Sequence, residues 1–118
     1  MTSAVGKLFA DLPPDRAHEH ITQIAGSPEV RIERIVSYGQ SSPEGFWYDQ
    51  GWNEWVIVLS GSAGLLFEGE AEPRTLNPGD YVEIPPHRRH RVAWTASETP
   101  TIWLAVHYPA PQGTDEPV

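Results

Sequence analysis

The chain contains no cysteine, and this absence limits the chemistry that it can carry out. Without thiols it has no disulfide framework, no thiolate nucleophile and no cysteine-based zinc site. A bound metal ion would have to be held by His, Asp, Glu or Tyr side chains. A metal site in this chain would therefore depend mainly on its histidines and acidic residues.

Positive charge and long apolar runs are also scarce. Lys and Arg number 8 against 16 Asp and Glu, and the net charge of −8 works against binding to nucleic acid phosphates. No stretch approaches the roughly 18 apolar residues of a membrane span, and no basic segment followed by an apolar run opens the chain. We expect a cytoplasmic protein that binds a small molecule, with no nucleic acid or membrane partner.

Short apolar runs separated by turn residues indicate an all-β fold. From Val30 onward, apolar and polar residues alternate with a period of two. The runs 55–59 and 63–67 are almost entirely apolar, and an Asn-Pro-Gly-Asp turn follows at 77–80. Many short strands of this kind favour a closed barrel or a double-sheet jelly roll. Because 118 residues suit a single core, we predict one barrel over 30–108.

The two ends of the chain are predicted to lie outside this barrel. In the N-terminal segment, 1–29, Pro13-Pro14-Asp15 resembles a helix start, and Gly26 with Pro28 resembles a helix end. A short helix is expected between them, with an apolar stripe formed by Ala17, Ile21, Ile24 and Ala25. The tail, 109–118, is acidic and rich in proline, and we expect it to be disordered.

Two segments of the chain resemble the motifs of the cupin superfamily, in particular its small single-domain members. The second cupin motif runs Gly, five residues, Pro, one residue, Gly, two residues, His; Gly79, Pro85 and His90 match it, and His87 replaces the inner glycine. In the first motif, Glu54 and Gly61 match, but both family histidines are missing. The resemblance covers roughly Val30 to His107.

The missing histidines can be aligned in two ways. One spacing places Trp47 and Asp49 at their positions, and the other places Tyr48 and Gln50 there. Asp49 is the more plausible substitute, because its carboxylate can bind a metal ion. The resemblance implies a jelly-roll barrel, a homodimer and a divalent ion at the barrel mouth, typically Fe, Mn, Zn or Ni.

The residues themselves favour a ligand set of Glu54 and His90. His90 begins a strand after a Pro-Pro stop and shares a face with Val92, so its ring is expected to point into the barrel. Glu54 shares a face with Val56, and a buried carboxylate needs a cation or a hydrogen-bond donor.

Two further ligands complete the predicted metal set, which is Asp49, Glu54, His87 and His90. His87 lies in an irregular turn from which it could reach the same ion, whereas Asp49 could equally serve as an ordinary turn residue. Tyr48 and His87 are the candidates for moving protons. His107 could orient a ligand or could be a simple sheet residue.

Three functions are compatible with this reading. The first is a metal-dependent enzyme, of oxygenase or isomerase type, acting on a small organic acid or aromatic compound. The second is a module that binds or senses a small ligand without turnover, and the third is a scaffold without metal. Because a fold does not determine a reaction, the residues do not choose between an enzyme and a non-enzyme.

Overall fold

The computed structural model describes residues 4–110, and this part of the chain consists of β-strands joined by turns and loops. The strands are β1 (His20–Ser27), β2 (Val30–Ser37), β3 (Asn53–Ser60), β4 (Ala63–Phe67), β5 (Arg74–Leu76), β6 (Tyr81–Ile84), β7 (His90–Thr95) and β8 (Thr101–Tyr108). Nowhere between residues 4 and 110 is there a helix of the length and apolarity that a membrane crossing requires.

The strands form two antiparallel sheets. The larger sheet has the order β1-β2-β8-β3-β6, and the smaller has the order β5-β4-β7. β3 and β4 are adjacent in sequence but belong to opposite sheets, so the chain crosses from one layer to the other at the turn between them. The predictions of an all-β fold and of a double-sheet jelly roll are confirmed.

The core lies between the inner faces of the two sheets. It is formed by apolar side chains from both layers: Val56, Val58, Ala63, Leu65, Phe67, Leu76, Ile84, Trp103 and Ala105. On β3 the buried positions Val56 and Val58 alternate with less buried ones, as strand geometry requires. Glu54 precedes them on the same face, at the end of this apolar stripe.

The predicted N-terminal helix is wrong. Residues 20–27 form β1, which pairs with β2 at the edge of the larger sheet. A register irregularity between Gln23 and Ala25 interrupts the alternation of β1, so its apolar residues recur at a spacing that imitates a helix. Asp15 does accept a backbone hydrogen bond, from Ala17 at 2.9 Å, but no helix follows this turn.

The prediction of a disordered tail falls mostly outside the described residues. Only 109 and 110 of the predicted tail are described, and the main-chain carbonyl of Pro109 accepts a hydrogen bond from Asn53 Nδ2 at 3.2 Å. The start of this segment is therefore attached to the first residue of β3.

The turn between β3 and β4 depends on Gly61. Its φ of +81° lies in the left-handed region, and a Cβ there would come within 2.5 Å of Thr101 Oγ1 and 2.7 Å of the Pro100 carbonyl oxygen. Gly69 has a similar φ, +93°, but nothing lies within 4 Å of the position that its Cβ would occupy. A side chain at either glycine would be strained by the positive φ, but only at Gly61 would it also clash with neighbouring atoms.

We predict that Gly61→Ala destabilises the fold by more than about 2 kcal/mol, because strain and a backbone clash add together. Gly69→Ala should cost only about 1 kcal/mol, because it introduces strain alone. The free energy of unfolding from urea titrations measures both losses. Equal losses in the two variants would contradict the role of the close approach to β8.

Candidate functional site

A cavity of about 280 Å³ opens between the two sheets. Its apolar lining consists of Ile21, Ile35, Val56, Leu65, Ile84, Val92 and Trp103. Its polar lining consists of Glu19, Arg31, Glu33, Tyr48, Gln50, Glu54, His90 and His107. A small, mostly apolar cavity with polar groups concentrated in it is the usual form of a small-molecule site.

The loop before β3 runs beside the start of β7 and decides which of its residues face the cavity. Tyr48 N donates to the His90 carbonyl at 2.7 Å, and His90 N donates to the Tyr48 carbonyl at 3.2 Å. His87 N donates to the Gln50 carbonyl at 2.6 Å, which continues the pairing. Because side chains alternate in extended pairs, Tyr48 and Gln50 line the cavity, whereas Asp49 does not.

The polar centre of the cavity is formed by Glu54 and His90. His90 Nε2 lies 3.7 Å from Glu54 Oε1, and their side chains are only 5% and 13% exposed. Gln50 Nε2 donates to the same Glu54 oxygen at 2.9 Å. His90 Nδ1 donates to the Arg88 carbonyl at 2.8 Å, so Nε2 is the nitrogen directed at the carboxylate.

Charges and burial shift the acidity of two groups in this centre. Burial raises the pKa of Glu54, but its interactions with His90, with the Gln50 amide and with His107 lower the pKa by more, so the pKa lies below the ordinary value. Burial also raises the pKa of Tyr48, and the charges of Glu19 and Glu54 add to this effect. At neutral pH Glu54 is therefore a carboxylate and Tyr48 a phenol that can donate a hydrogen bond.

Tyr48 is held against His90 by ring stacking as well as by the backbone. The two ring centroids are 5.4 Å apart and the planes differ by 23°. Tyr48 is 37% exposed and also lines the cavity, so it closes part of the cavity while remaining in contact with solvent. This position suits a residue that contacts a ligand at the entrance.

A second polar group lies on the other wall of the cavity, around His107. Its Nδ1 accepts from Trp52 Nε1 at 2.9 Å, and its Nε2 donates to Glu33 Oε1 at 3.1 Å. Since the Trp52 indole can only donate, this network fixes one neutral tautomer of His107. Of the two readings of His107, the structure places it at the cavity, with both ring nitrogens occupied.

Sequence reasoning missed three charged residues of the cavity, namely Glu19, Arg31 and Glu33. Arg31 and Glu33 alternate on β2, so their common face could be recognised, but nothing in the alternation shows that this face points inward. Glu19 lies just before β1, and its carboxylate accepts from Ser37 Oγ at 2.9 Å. Glu19 falls inside the helix predicted between Asp15 and Gly26, and that prediction gives no sign that its side chain lies at the sheet.

The four predicted metal ligands lie in two separate pairs. Glu54 and His90 meet in the cavity, whereas Asp49 and His87 meet outside it, with Asp49 Oδ1 2.7 Å from His87 Nδ1. The outer pair is exposed, at 48% for the Asp49 side chain and 71% for the His87 side chain. His87 has a φ of +63°, which explains why the family pattern has glycine at this position.

The cavity does not fit the divalent ion, Fe, Mn, Zn or Ni, that the resemblance implies. Among residues 4–110 no group of three or more His, Asp or Glu side chains is placed to hold an ion. Catalytic metal sites usually use about three protein ligands, and here Glu54 and His90 supply two. Tyr48 and Gln50, at the positions of the family histidines, offer a protonated phenol and an amide whose nitrogen is directed at Glu54.

Comparison with known proteins places this geometry among related folds. The family model described as a cupin domain matches residues 35–107. A crystal structure of a cupin superfamily protein from Desulfitobacterium hafniense DCB-2 has a TM-score of 0.68 and 17% identity, covering 83% of this chain and 84% of its own. At this identity the likeness concerns the fold alone.

Two closer relatives carry the names of sugar phosphate isomerases. A protein from Ralstonia eutropha JMP134, provisionally named a mannose-6-phosphate isomerase, is 50% identical, with a TM-score of 0.88 over 92% of this chain and 100% of its own. A glucose-6-phosphate isomerase from Pyrococcus horikoshii is 43% identical over 65 residues, which are 52% of this chain. The chain spans about a third of the length of that curated relative, 33%.

The lowered pKa of Glu54 predicts how stability depends on pH. A carboxyl group whose pKa is lower in the folded state contributes stability above its unfolded pKa, about 4.3, and this contribution is lost as the pH falls through the folded pKa. The stability advantage of the natural chain over Glu54→Gln should therefore be constant near neutral pH and decrease below about pH 4.3. Urea unfolding of both proteins across this range measures it. An advantage that grows on acidification would mean that the pKa is raised.

Introducing the two missing family histidines should create a metal site in only one of the two possible alignments, the one that uses positions 48 and 50. In Tyr48→His/Gln50→His, two imidazoles join Glu54 and His90 at the cavity, so Co²⁺ should bind about 100-fold more tightly than to the natural chain, or tighter. The matched control is Trp47→His/Asp49→His, which follows the other spacing and should bind Co²⁺ no better than the natural chain. Visible absorption of Co²⁺ reports both, and the opposite ranking would contradict the backbone pairing of Tyr48 with His90.

Proposed function

The chain belongs to the cupin domain family, and from this premise we propose that it binds a small hydroxylated carbonyl compound of the sugar class and isomerises it by proton transfer. The observation that carries the proposal is the buried pair of Glu54 and His90, 3.7 Å apart at the polar centre of a small cavity. The names of the relatives, mannose-6-phosphate and glucose-6-phosphate isomerase, support the same class of reaction.

The reaction needs two proton movements that this pair can supply. An aldose becomes a ketose when a base removes the proton from C2 and returns it to C1, while a second proton moves from the C2 hydroxyl to the C1 oxygen. We assign the carbon proton to Glu54, because its lowered pKa keeps it ionised at neutral pH. We assign the oxygen proton to His90 Nε2, because Nδ1 is already occupied by the Arg88 carbonyl.

Two neighbours support the transfer without exchanging protons. The phenol of Tyr48 is stacked on His90 and can donate a hydrogen bond to the carbonyl oxygen of the ligand. Gln50 donates to Glu54 and holds its carboxylate in position. Both residues are therefore assigned as binding and positioning residues, in the places where the family has histidines.

The assignment of Glu54 is tested by deuterium exchange. Aldoses and their phosphates incubated with the protein in ²H₂O should acquire deuterium at C2, detected by NMR, because the enediol exchanges its proton with solvent. Glu54→Gln should slow this exchange by about 100-fold or more, whereas substrate affinity should change much less. Glu72→Gln is the matched control, because Glu72 is exposed and does not line the cavity. Equal rates in Glu54→Gln and the natural chain would remove Glu54 from the reaction.

The alternatives from the sequence are outcomes of the same assay. Exchange that disappears with a chelator and returns with Fe²⁺, Mn²⁺, Zn²⁺ or Ni²⁺ would support a metal-dependent enzyme and contradict proton transfer by Glu54 and His90 without a metal ion. Ligand binding without any exchange would support a binding or sensing module. The homodimer and the cytoplasmic location stay predictions.

A further inference from the structure

The charges around the cavity carry an inference about its ligand. We infer that the cavity selects an uncharged sugar over the corresponding sugar phosphate. This inference rests on the proposed function and narrows its substrate class. The inferred ligand differs from the sugar phosphates that appear in the names of the relatives.

Negative side chains outnumber positive ones in the lining. Three carboxylates line the cavity, Glu19, Glu33 and Glu54, against one guanidinium, that of Arg31. Arg31 is already engaged, because its Nε lies 3.4 Å from Glu33 Oε2 and its Cζ lies 5.2 Å from the centre of the Trp52 ring. A phosphate group brought into this cavity would meet more like charge than opposite charge, in a space where water screens poorly.

The usual devices for binding phosphate are directed elsewhere in the described chain. Proteins commonly hold phosphate with arginine clusters or helix N-termini, and residues 4–110 contain no helix. Arg88 and Arg89 face the acidic residues Glu70 and Glu68 and do not line the cavity. Arg34, on the alternate face of β2 from Arg31, donates to main-chain carbonyls, including that of Ala10 at 2.8 Å.

The same lining suits the hydroxyl groups of a neutral sugar. A carboxylate can accept about four hydrogen bonds, and the Glu19 side chain is engaged by the Ser37 hydroxyl at one oxygen, so acceptor positions remain for ligand hydroxyls. Tyr48 and Gln50 supply donors for ligand oxygens. Trp103 and Val56 provide an apolar wall against which the C–H groups of a sugar ring can pack.

The test compares four ligands on the full chain by isothermal titration calorimetry: mannose, glucose, mannose 6-phosphate and glucose 6-phosphate. At least one uncharged sugar should bind about tenfold more tightly than its own phosphate, or tighter, at low ionic strength. Added salt should reduce this ratio, because the discrimination is electrostatic. A ratio that does not respond to salt would assign the selectivity to shape and overturn the electrostatic inference.

Removing a negative charge from the cavity lining should weaken the preference for uncharged sugars over sugar phosphates. In Glu19→Gln the affinity for the phosphates should rise about fivefold, while that for the uncharged sugars changes less. Glu19 suits this test because, within residues 4–110, its side chain accepts one hydrogen bond, from the Ser37 hydroxyl, and a glutamine oxygen can accept the same bond, so the variant is expected to fold. Glu33→Gln is the second variant; its amide oxygen can still accept from His107 Nε2, and circular dichroism checks that the fold is intact.

The possible results distinguish a failure of this inference from a failure of the proposed isomerase function. If a phosphate binds more tightly than its parent sugar, the inference is overturned and the isomerase proposal stands. If none of the four ligands binds and none shows deuterium exchange, the proposed function fails, and the inference falls with it.

Discussion

The buried carboxylate of Glu54 is the constraint on which the rest of the site depends. It lies on a central strand of the larger sheet, at the end of an apolar stripe, where an unpaired charge would be costly. Polar partners must therefore reach it from elsewhere. Gln50, in a loop, donates a hydrogen bond to it at 2.9 Å. His90, in the other sheet, places Nε2 3.7 Å from it. The antiparallel pairing of Tyr48 with His90 brings both residues into place and connects the loop before β3 to the smaller sheet.

The two imidazoles of the cavity differ in how many of their ring nitrogens are already hydrogen-bonded. His90 uses Nδ1 on a backbone carbonyl and leaves Nε2 beside the carboxylate, so it has a nitrogen available to a ligand. His107 uses both nitrogens, one with Trp52 and one with Glu33. His90 is therefore the imidazole with a nitrogen free for the proposed proton transfer, whereas His107 is part of the wall that positions Glu33.

The sequence predicted the fold and the central pair because both rest on local patterns. Short alternating runs separated by turns predict strands, and Glu54 and His90 each follow from their own strand. The choice between Asp49 and Gln50 could not be made in this way, because it depends on pairing with residues about 40 positions away. Glu19 was missed for a related reason, since the bulge in β1 made an edge strand resemble a helix.

The measurement that tests the account most directly is a double-mutant cycle on the central pair. Glu54→Gln keeps the shape of its side chain but removes its charge, and His90→Asn keeps a donor near the Arg88 carbonyl while removing Nε2. If the two groups interact as described, the losses in unfolding free energy at neutral pH should deviate from additivity by about 1 kcal/mol or more. Losses that add within about 0.3 kcal/mol would mean that the carboxylate and the imidazole act independently, contrary to the account.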